Sequence, residues 1–414
     1  MLAEKVILAV GTSYKIAPLE AREAISFATP ELEEALLFLS RYVGQGTILS
    51  TCNRSEIYAL AEEPERGYQR IKHFLTDYHH ASAASFSGYL RTYVQEEAVS
   101  HLFKVASGMD SMIIGEEQIL GQVRKAWELA RSTGCAGHRL SRLFHRALQV
   151  GNRVRSETQI SRYAPSVSQT ALEVVKRATG SLDSRSMLLI GAGETGELTA
   201  KIAKRSQIDR LTVTSRTYEK AQALAQRIDG RAVPIEELTE SMVSSDIVIS
   251  STSAEGFVLG PEEIRKVMQQ RDHHPLLLID IAIPRDIDPE VANIDNVFLY
   301  NIDTLRSSST FDPEQSEVAK AEAIINSEVT RFMEWWHGLE SVPTITALRA
   351  KAEAIRQKEL AKTLSKMPQL EEVERDRINA LTKAITNKIL HHPIISLKTR
   401  NEEYLQIVRQ LFDL

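Results

Sequence analysis

Two groups of residues in this 414-residue chain have the types and spacing for chemistry. The first surrounds Cys52, in Leu49-Ser50-Thr51-Cys52-Asn53-Arg54-Ser55-Glu56. A structural cysteine lies among apolar neighbours and is inert. Cys52 instead has hydrogen-bonding groups on both sides and a cation two residues on. A guanidinium beside a thiol favours the thiolate, which makes Cys52 a candidate nucleophile. The plainer alternative is a small residue filling a turn. The other cysteine, Cys135, sits between Gly134 and Ala136 with no such company and is expected to be structural. The second group is Gly191-Ala192-Gly193-Glu194-Thr195-Gly196, preceded by Met187-Leu188-Leu189-Ile190 and followed by a helical pattern. Glycines at this spacing allow a tight turn, a close approach to a pyrophosphate and close helix packing. The helix N-terminus then faces the phosphates. Glycines gather in any strand-to-helix turn, so the preceding strand and following helix supply the specificity. The next strand-like run, Leu211 to Thr214, leads into Ser215-Arg216-Thr217, where this fingerprint expects an acid for the ribose. Two hydroxyls and a guanidinium suit a 2′-phosphate, favouring NADP over NAD; a solvated turn is the alternative. A thiolate and a nicotinamide together imply attack on an activated acyl carbon, a thioester, and hydride reduction to an aldehyde, or the reverse.

Elements must hold these groups in place. Val6 to Val10 is strand-like and ended by Gly11; Pro30 to Arg41 has helical spacing. Thr47 to Leu49 and Ile57 to Ala61 are strand-like, joined by the polar stretch around Cys52. Glu96 to Ser107 is helical, and residues 121–162 are mostly helical. From about Pro165, strands at Leu211 to Thr214, Asp246 to Ser251, Leu276 to Ile281 and Val297 to Tyr300 alternate with helices, the signature of a doubly wound parallel sheet. From about Pro313 the chain is nearly all helix. Val318, Ile325, Phe332 and Leu339 recur every seven residues, with further helices at Leu348 to Lys366 and Ile378 to Leu390. No chemistry is visible there, and an assembly role is expected.

Composition narrows the classes. Fifty Lys+Arg against 55 Asp+Glu give a net charge of −5, and 43% hydrophobic with 25% charged residues is ordinary for a globular protein. Apolar runs fall short of a membrane span, and Met1 to Gly11 resembles a first strand rather than a signal peptide. Two cysteines exclude a disulfide framework and a Cys-rich zinc site, so no metal is expected and the cytoplasm is the natural setting. The acidic average hides one basic stretch. Arg124, Lys125, Arg131, Arg139, Arg142, Arg146, Arg153, Arg155 and Arg162 face only Glu128 and Glu157. Such a run is most often a solvated face, but it also suits nucleic-acid phosphates.

Longer motifs carry a resemblance. They are Gly11-Thr12-Ser13-Tyr14-Lys15-Ile16-Ala17-Pro18 with Arg22-Glu23, the Cys52 octapeptide, and the run Val105 to Ala126. GAGETG, Ser-Arg-Thr and Asp280-Ile281-Ala282-Ile283-Pro284-Arg285-Asp286 follow in order. In these the chain resembles the glutamyl-tRNA reductase family, with Tyr14 where many members have histidine. The resemblance implies an α/β multidomain protein. An N-terminal α+β catalytic domain would span 1–160 and a Rossmann-like NADP-binding domain 161–305. A C-terminal all-α dimerisation domain, joined by a long helix, would span 306–414. It implies NADPH-dependent reduction of glutamyl-tRNA(Glu) to glutamate-1-semialdehyde through a Cys52 thioester, in the first step of tetrapyrrole biosynthesis. Thr51, Asn53, Arg54, Ser111, Glu116, Glu117, Gln118 and Gln122 would contact substrate. Arg54 would pair with a substrate carboxylate and Glu116 or Glu117 with its amino group. His101 would transfer a proton or polarise the substrate, although a satisfied core histidine is the default on sequence alone. Gly191 to Gly196 and Ser215, Arg216 and Thr217 would hold the cofactor. The resemblance implies a homodimer, with glutamate-1-semialdehyde aminomutase as a possible partner. Two other readings compete: a dehydrogenase of a free small molecule, and a non-catalytic nucleotide-sensing or assembly protein.

Overall fold

A computed structural model describes residues 5–162, 165–254, 256–272, 274–308, 314–399 and 402–414. The chain forms two compact units, the first ending at Asn326 and the second running Ser327–Leu414.

The first unit holds two sheets. An antiparallel sheet joins β1 (Val6–Ser13), β2 (Gly46–Thr51), β3 (Arg54–Ala61) and β4 (Arg91–Val94) in the order β2-β3-β1-β4. Strand β1 does not stop at Gly11 as its sequence suggests. It runs on because a side chain there would collide with the Ser55 carbonyl at 2.2 Å, so only glycine lets the two strands pair at this point. The stretch around Cys52 is also less loop-like than expected. Thr51 pairs with Arg54, leaving Cys52 and Asn53 as a two-residue hairpin turn. Most of the polar residues therefore belong to strands.

The second sheet is parallel throughout. Strands β5 (Ser186–Ile190), β6 (Arg210–Thr214), β7 (Arg231–Val233), β8 (Ile247–Ser250), β9 (Leu276–Asp280) and β10 (Val297–Asn301) lie in the order β10-β9-β8-β5-β6-β7. This is the doubly wound order whose direction reverses between the first and fourth strands, the place where such sheets bind ligands. Near-continuous apolar strands such as Met187 to Ile190 are buried on both faces, with clusters above and below the sheet. The short edge strands β4 and β7 carry too little periodicity to stand out in the sequence.

The proposed start of the helical region at Pro313 lies outside the described residues. One helix runs Gln315–Ser365, so the two helices expected at Val318 to Leu339 and Leu348 to Lys366 are one element. Pro343 lies inside it. Of the expected stripe, Ile325 and Phe332 are buried and Val318 and Leu339 half-buried. The third helix extends over Glu372–Thr399, followed by Glu402–Leu411. Within the second unit Leu348, Leu390, Ile394, Leu397, Leu405 and Val408 form one cluster. Among the described residues no helix is long and apolar enough to cross a membrane.

Candidate active site

Strand β3 sets the first part of the site. Side chains on a strand alternate between faces, so Arg54, Glu56 and Tyr58 share one. Arg54 Nη1 donates to Glu56 Oε1 at 2.7 Å, and the Tyr58 hydroxyl donates to Glu56 Oε2 at 2.7 Å. Arg54 Nη2 donates to Asp110 Oδ2 at 3.0 Å, and Lys15 closes an ion pair on the other Asp110 oxygen. His101 Nε2 lies 2.8 Å from Glu56 Oε1, with its ring stacked on Tyr93 at 4.1 Å. Burial pushes the Glu56 carboxyl up, but His101, Arg54 and the Tyr58 hydroxyl outweigh it and hold it at about 2. Glu56 is therefore an anion at the centre of a buried network. The signal for it is Arg-x-Glu-x-Tyr with period two, which the polar character of the stretch masks in the sequence.

Two expectations about this half change. The Arg54 fork is engaged by Glu56 and Asp110, so it does not stand open for a bidentate substrate carboxylate. Nor does the guanidinium leave the thiol activated. Burial first, and then the Glu116 carboxylate, push the half-buried Cys52 thiol up to about 12; Arg22 and, more weakly, Arg54 pull the other way and are outweighed. Glu116 is itself buried and raised to about 7, mainly by desolvation.

The turn and the loop before helix Gln118–Ser132 bring several expected residues together. The Thr51 hydroxyl accepts from the Asn53 amide at 3.1 Å. Tyr14 donates its hydroxyl to the Ser111 carbonyl at 3.0 Å. Arg155 Nη1 and Nη2 donate to the carbonyls of Ala106 and Glu116, each at 2.9 Å. Arg155 thus braces the loop from within and is not part of an outward basic face. Glu117 is exposed at the start of the helix, and Gln118 and Gln122 lie half-buried one turn apart. Asn53 Oδ1, Ser111 Oγ and Arg54 Nε are buried without a hydrogen-bond partner. Buried polar atoms are normally paired, and leaving one unpaired costs about 1–3 kcal/mol. Cys135 is buried, with its thiol 3.4 Å from the Leu36 carbonyl.

The second part of the site is made from backbone. Gly191 ends β5 at φ 107°, where a side chain would strike the Ser251 carbonyl at 2.5 Å. A side chain at Gly196 would strike the Gly191 carbonyl at 2.3 Å, whereas one at Gly193 would meet nothing within 4 Å. Tight first and third glycines and an open second one are what a pyrophosphate over the helix Glu194–Arg205 requires. Ala192, in this loop, and Thr195, in the first turn of the helix, are half-buried. Glu194 is exposed and pairs with Lys125, so Lys125 joins the two halves rather than adding to a free basic patch. Arg216 is exposed beyond the end of β6, between half-buried Ser215 and the exposed helix cap Thr217. Asp280 and Asp286 of the last motif fix the neighbouring loops. Asp280 accepts from the amides of Ala282 and Ile287, and Asp286 from Ser250 Oγ and the Thr252 amide. Cys52 and Met112 pack against the core cluster of this sheet, as do Ala192 and Ile283.

A doubly wound dinucleotide-type domain beside a cysteine-tipped hairpin defines an oxidoreductase class. Residues 10–158 match the model for the glutamyl-tRNAGlu reductase N-terminal domain, and 173–308 that for shikimate/quinate 5-dehydrogenase. Residues 320–414 match the glutamyl-tRNAGlu reductase dimerisation domain. The chain is 42% identical to glutamyl-tRNA reductase of Geotalea uraniireducens over 99% of its own length and 96% of that protein's. It is 41% identical to the Geobacter sulfurreducens protein of the same name, with the same coverage. The solved glutamyl-tRNA reductase of Methanopyrus kandleri matches with TM-score 0.50 at 31% identity, covering 99% of each chain. The chain belongs to the glutamyl-tRNA reductase family, the oxidoreductases of the first step of tetrapyrrole synthesis.

Proposed function

We propose that the chain reduces the glutamyl ester of tRNA(Glu) to glutamate-1-semialdehyde, using NADPH and a thioester on Cys52. The observation that carries this is the position of Cys52. It sits at the tip of a two-residue hairpin, beside the unpartnered polar atoms of Asn53, Ser111 and Arg54, and against the core of the dinucleotide domain. In this reading the Cys52 thiol releases its proton to solvent as its sulfur attacks the ester carbonyl, the C–O bond to the ribose breaks, and the released oxygen takes a proton. We assign that proton to His101, whose ring is fixed by Glu56 and Tyr93. NADPH held over Gly191 to Gly196 would supply a hydride to the thioester carbonyl, giving the aldehyde as the C–S bond breaks and the sulfur leaves as thiolate. Asn53 and Ser111 offer the substrate hydrogen bonds they lack within the protein, and we assign Thr51, Gln118 and Gln122 to the same binding site. The cationic amino group of the substrate is assigned to Glu116, with Glu117 at the rim. Seating it there offsets the Glu116 charge, the smaller of the two effects that raise the thiol; burial, the larger, remains.

Gly191, Ala192, Gly193, Glu194, Thr195 and Gly196 would hold the pyrophosphate through backbone N–H groups. Arg216, with Ser215 and Thr217, would hold the 2′-phosphate that distinguishes NADPH. Arg139, Arg142, Arg146 and Arg153 fall on one face of helix His138–Glu157 and are our candidates for tRNA phosphate contact. The enzyme in this reading is a cytoplasmic homodimer. Ile355, Leu381, Ile385 and Ile389 are exposed on the second unit and suit burial in such an interface.

The test is Cys52→Ser assayed with charged tRNA and NADPH. Semialdehyde formation should fall to background, on the order of 10⁴-fold or more. Undiminished turnover, or wild-type reduction of free glutamate, would sink the assignment.

A further inference from the structure

Two adjacent residues, Arg22 and Glu23, take no part in the steps above, yet the side chain of each makes three hydrogen bonds. They end the short helix Leu19–Glu23 in the antiparallel half. Arg22 is 3% exposed. Its Nη1 donates to the Cys52 carbonyl at 3.1 Å, and its Nη2 donates to both Asp303 carboxylate oxygens at 2.6 and 2.7 Å. Asp303 lies just past β10, at the start of helix Ile302–Ser308. Glu23 Oε1 accepts from the Arg285 amide at 2.7 Å and from its Nε at 3.0 Å, while Oε2 accepts from Nη2 at 2.8 Å. Arg285 lies in the loop after β9. One short helix therefore grips the dinucleotide half at two separate points, with its positive and negative residues each meeting the opposite charge.

These are not ordinary surface ion pairs, which contribute about 0–1 kcal/mol. Arg22 is buried although its partner Asp303 is 40% exposed, and the side chains of Glu23 and Arg285 are 17% and 12% exposed. Forked bonds of this kind fix orientation as well as distance. Leu19, on the same helix, is buried within the core cluster of the parallel sheet. The Arg22 bond to the Cys52 carbonyl makes the hairpin turn part of the same junction.

We propose that Arg22 and Glu23 are positioning residues: through Asp303 and Arg285 they register the Cys52 turn against the dinucleotide half, so that the thioester carbonyl is presented for hydride transfer. This rests on the thioester reading above. Attack on the ester uses groups that all belong to the antiparallel half. Reduction alone needs both halves in register. Cutting the tie therefore leaves thioester formation intact and delays reduction. Water then takes the waiting thioester, breaking its C–S bond to give free glutamate and the thiol.

The experiment uses full-length Asp303→Asn, and Asp303→Asn with Arg285→Met, both of which leave Arg22 and Cys52 themselves unaltered. Without nucleotide, the burst of tRNA release and the later thioester hydrolysis should match wild type. With NADPH, the ratio of semialdehyde to free glutamate should fall about tenfold or more, in line with the effect of a small misplacement. Amide exchange of residues 19–23 should rise in both variants. An unchanged product ratio overturns the proposal. So does an equal loss of tRNA release and semialdehyde, which marks a role in folding alone. Absence of any tRNA burst in wild-type enzyme overturns the thioester reading, and this proposal with it.

Discussion

The two halves of the first unit build their sites from different materials. The antiparallel half uses side chains: buried Arg54, Glu56 and His101 and half-buried Asp110 are linked by hydrogen bonds, and each holds the next in place. The parallel half uses backbone: two glycines that only glycine can satisfy, one left open, and an exposed arginine at the strand end. A networked site fails as a whole when one charge is removed, because its partners are left buried and unpaired. A backbone cradle tolerates side-chain change at its rim, where substitutions alter preference rather than structure.

This contrast can be broken at three places. The largest effect is expected from Glu56→Gln, which strips the anion from between Arg54 and His101. Loss of one member of a buried pair costs about 3–5 kcal/mol, so thermal unfolding at pH 7 should move down clearly and activity should collapse. The carboxyl at about 2 lies below its unfolded value, so its stabilisation is complete above about pH 4.5 and is lost as pH falls toward 2. The variant should lack that part of the acid transition; equal acid sensitivity would remove Glu56 from the centre of the network. Next comes Arg216→Ser at the cradle's rim. Its melting should be unchanged, while kcat/KM for NADPH falls about 10–100-fold relative to NADH. A uniform loss for both cofactors would show that Arg216 does not read the 2′-phosphate. The smallest effect is that of Glu116→Gln on the thiol. Removing that carboxylate should lower the Cys52 pKa from about 12, so iodoacetamide labelling at pH 8 should quicken several-fold. Labelling no faster than wild type would mean that burial alone sets the thiol.

The two halves also differed in how far the sequence disclosed them. The parallel half was legible nearly strand for strand, because buried parallel strands are unbroken apolar runs and glycine spacing is a backbone requirement written in residue type. The antiparallel half was legible as motifs but not as geometry. Cys52 and Arg54 stand out by residue type, but the polar run around them resembles one long turn, which conceals the shared face of Arg54, Glu56 and Tyr58. The sign of the effect on Cys52 was also out of reach. Sequence shows a nearby cation but not the burial and the Glu116 carboxylate that outweigh it. The Glu23 to Arg285 and Arg22 to Asp303 pairs join residues more than 250 positions apart, and no local pattern announces them.

The two-residue turn also limits what the chain can become. With Thr51 paired to Arg54, one inserted residue would shift β3 by one position against β1 and turn every side chain to the opposite face. Ser55 and Ile57 would then take the places of Glu56 and Tyr58. This hairpin is therefore closed to length change. Insertions that diversify the molecule must enter through its other connections, and grafting the nucleophile onto another scaffold means moving the whole strand with its register.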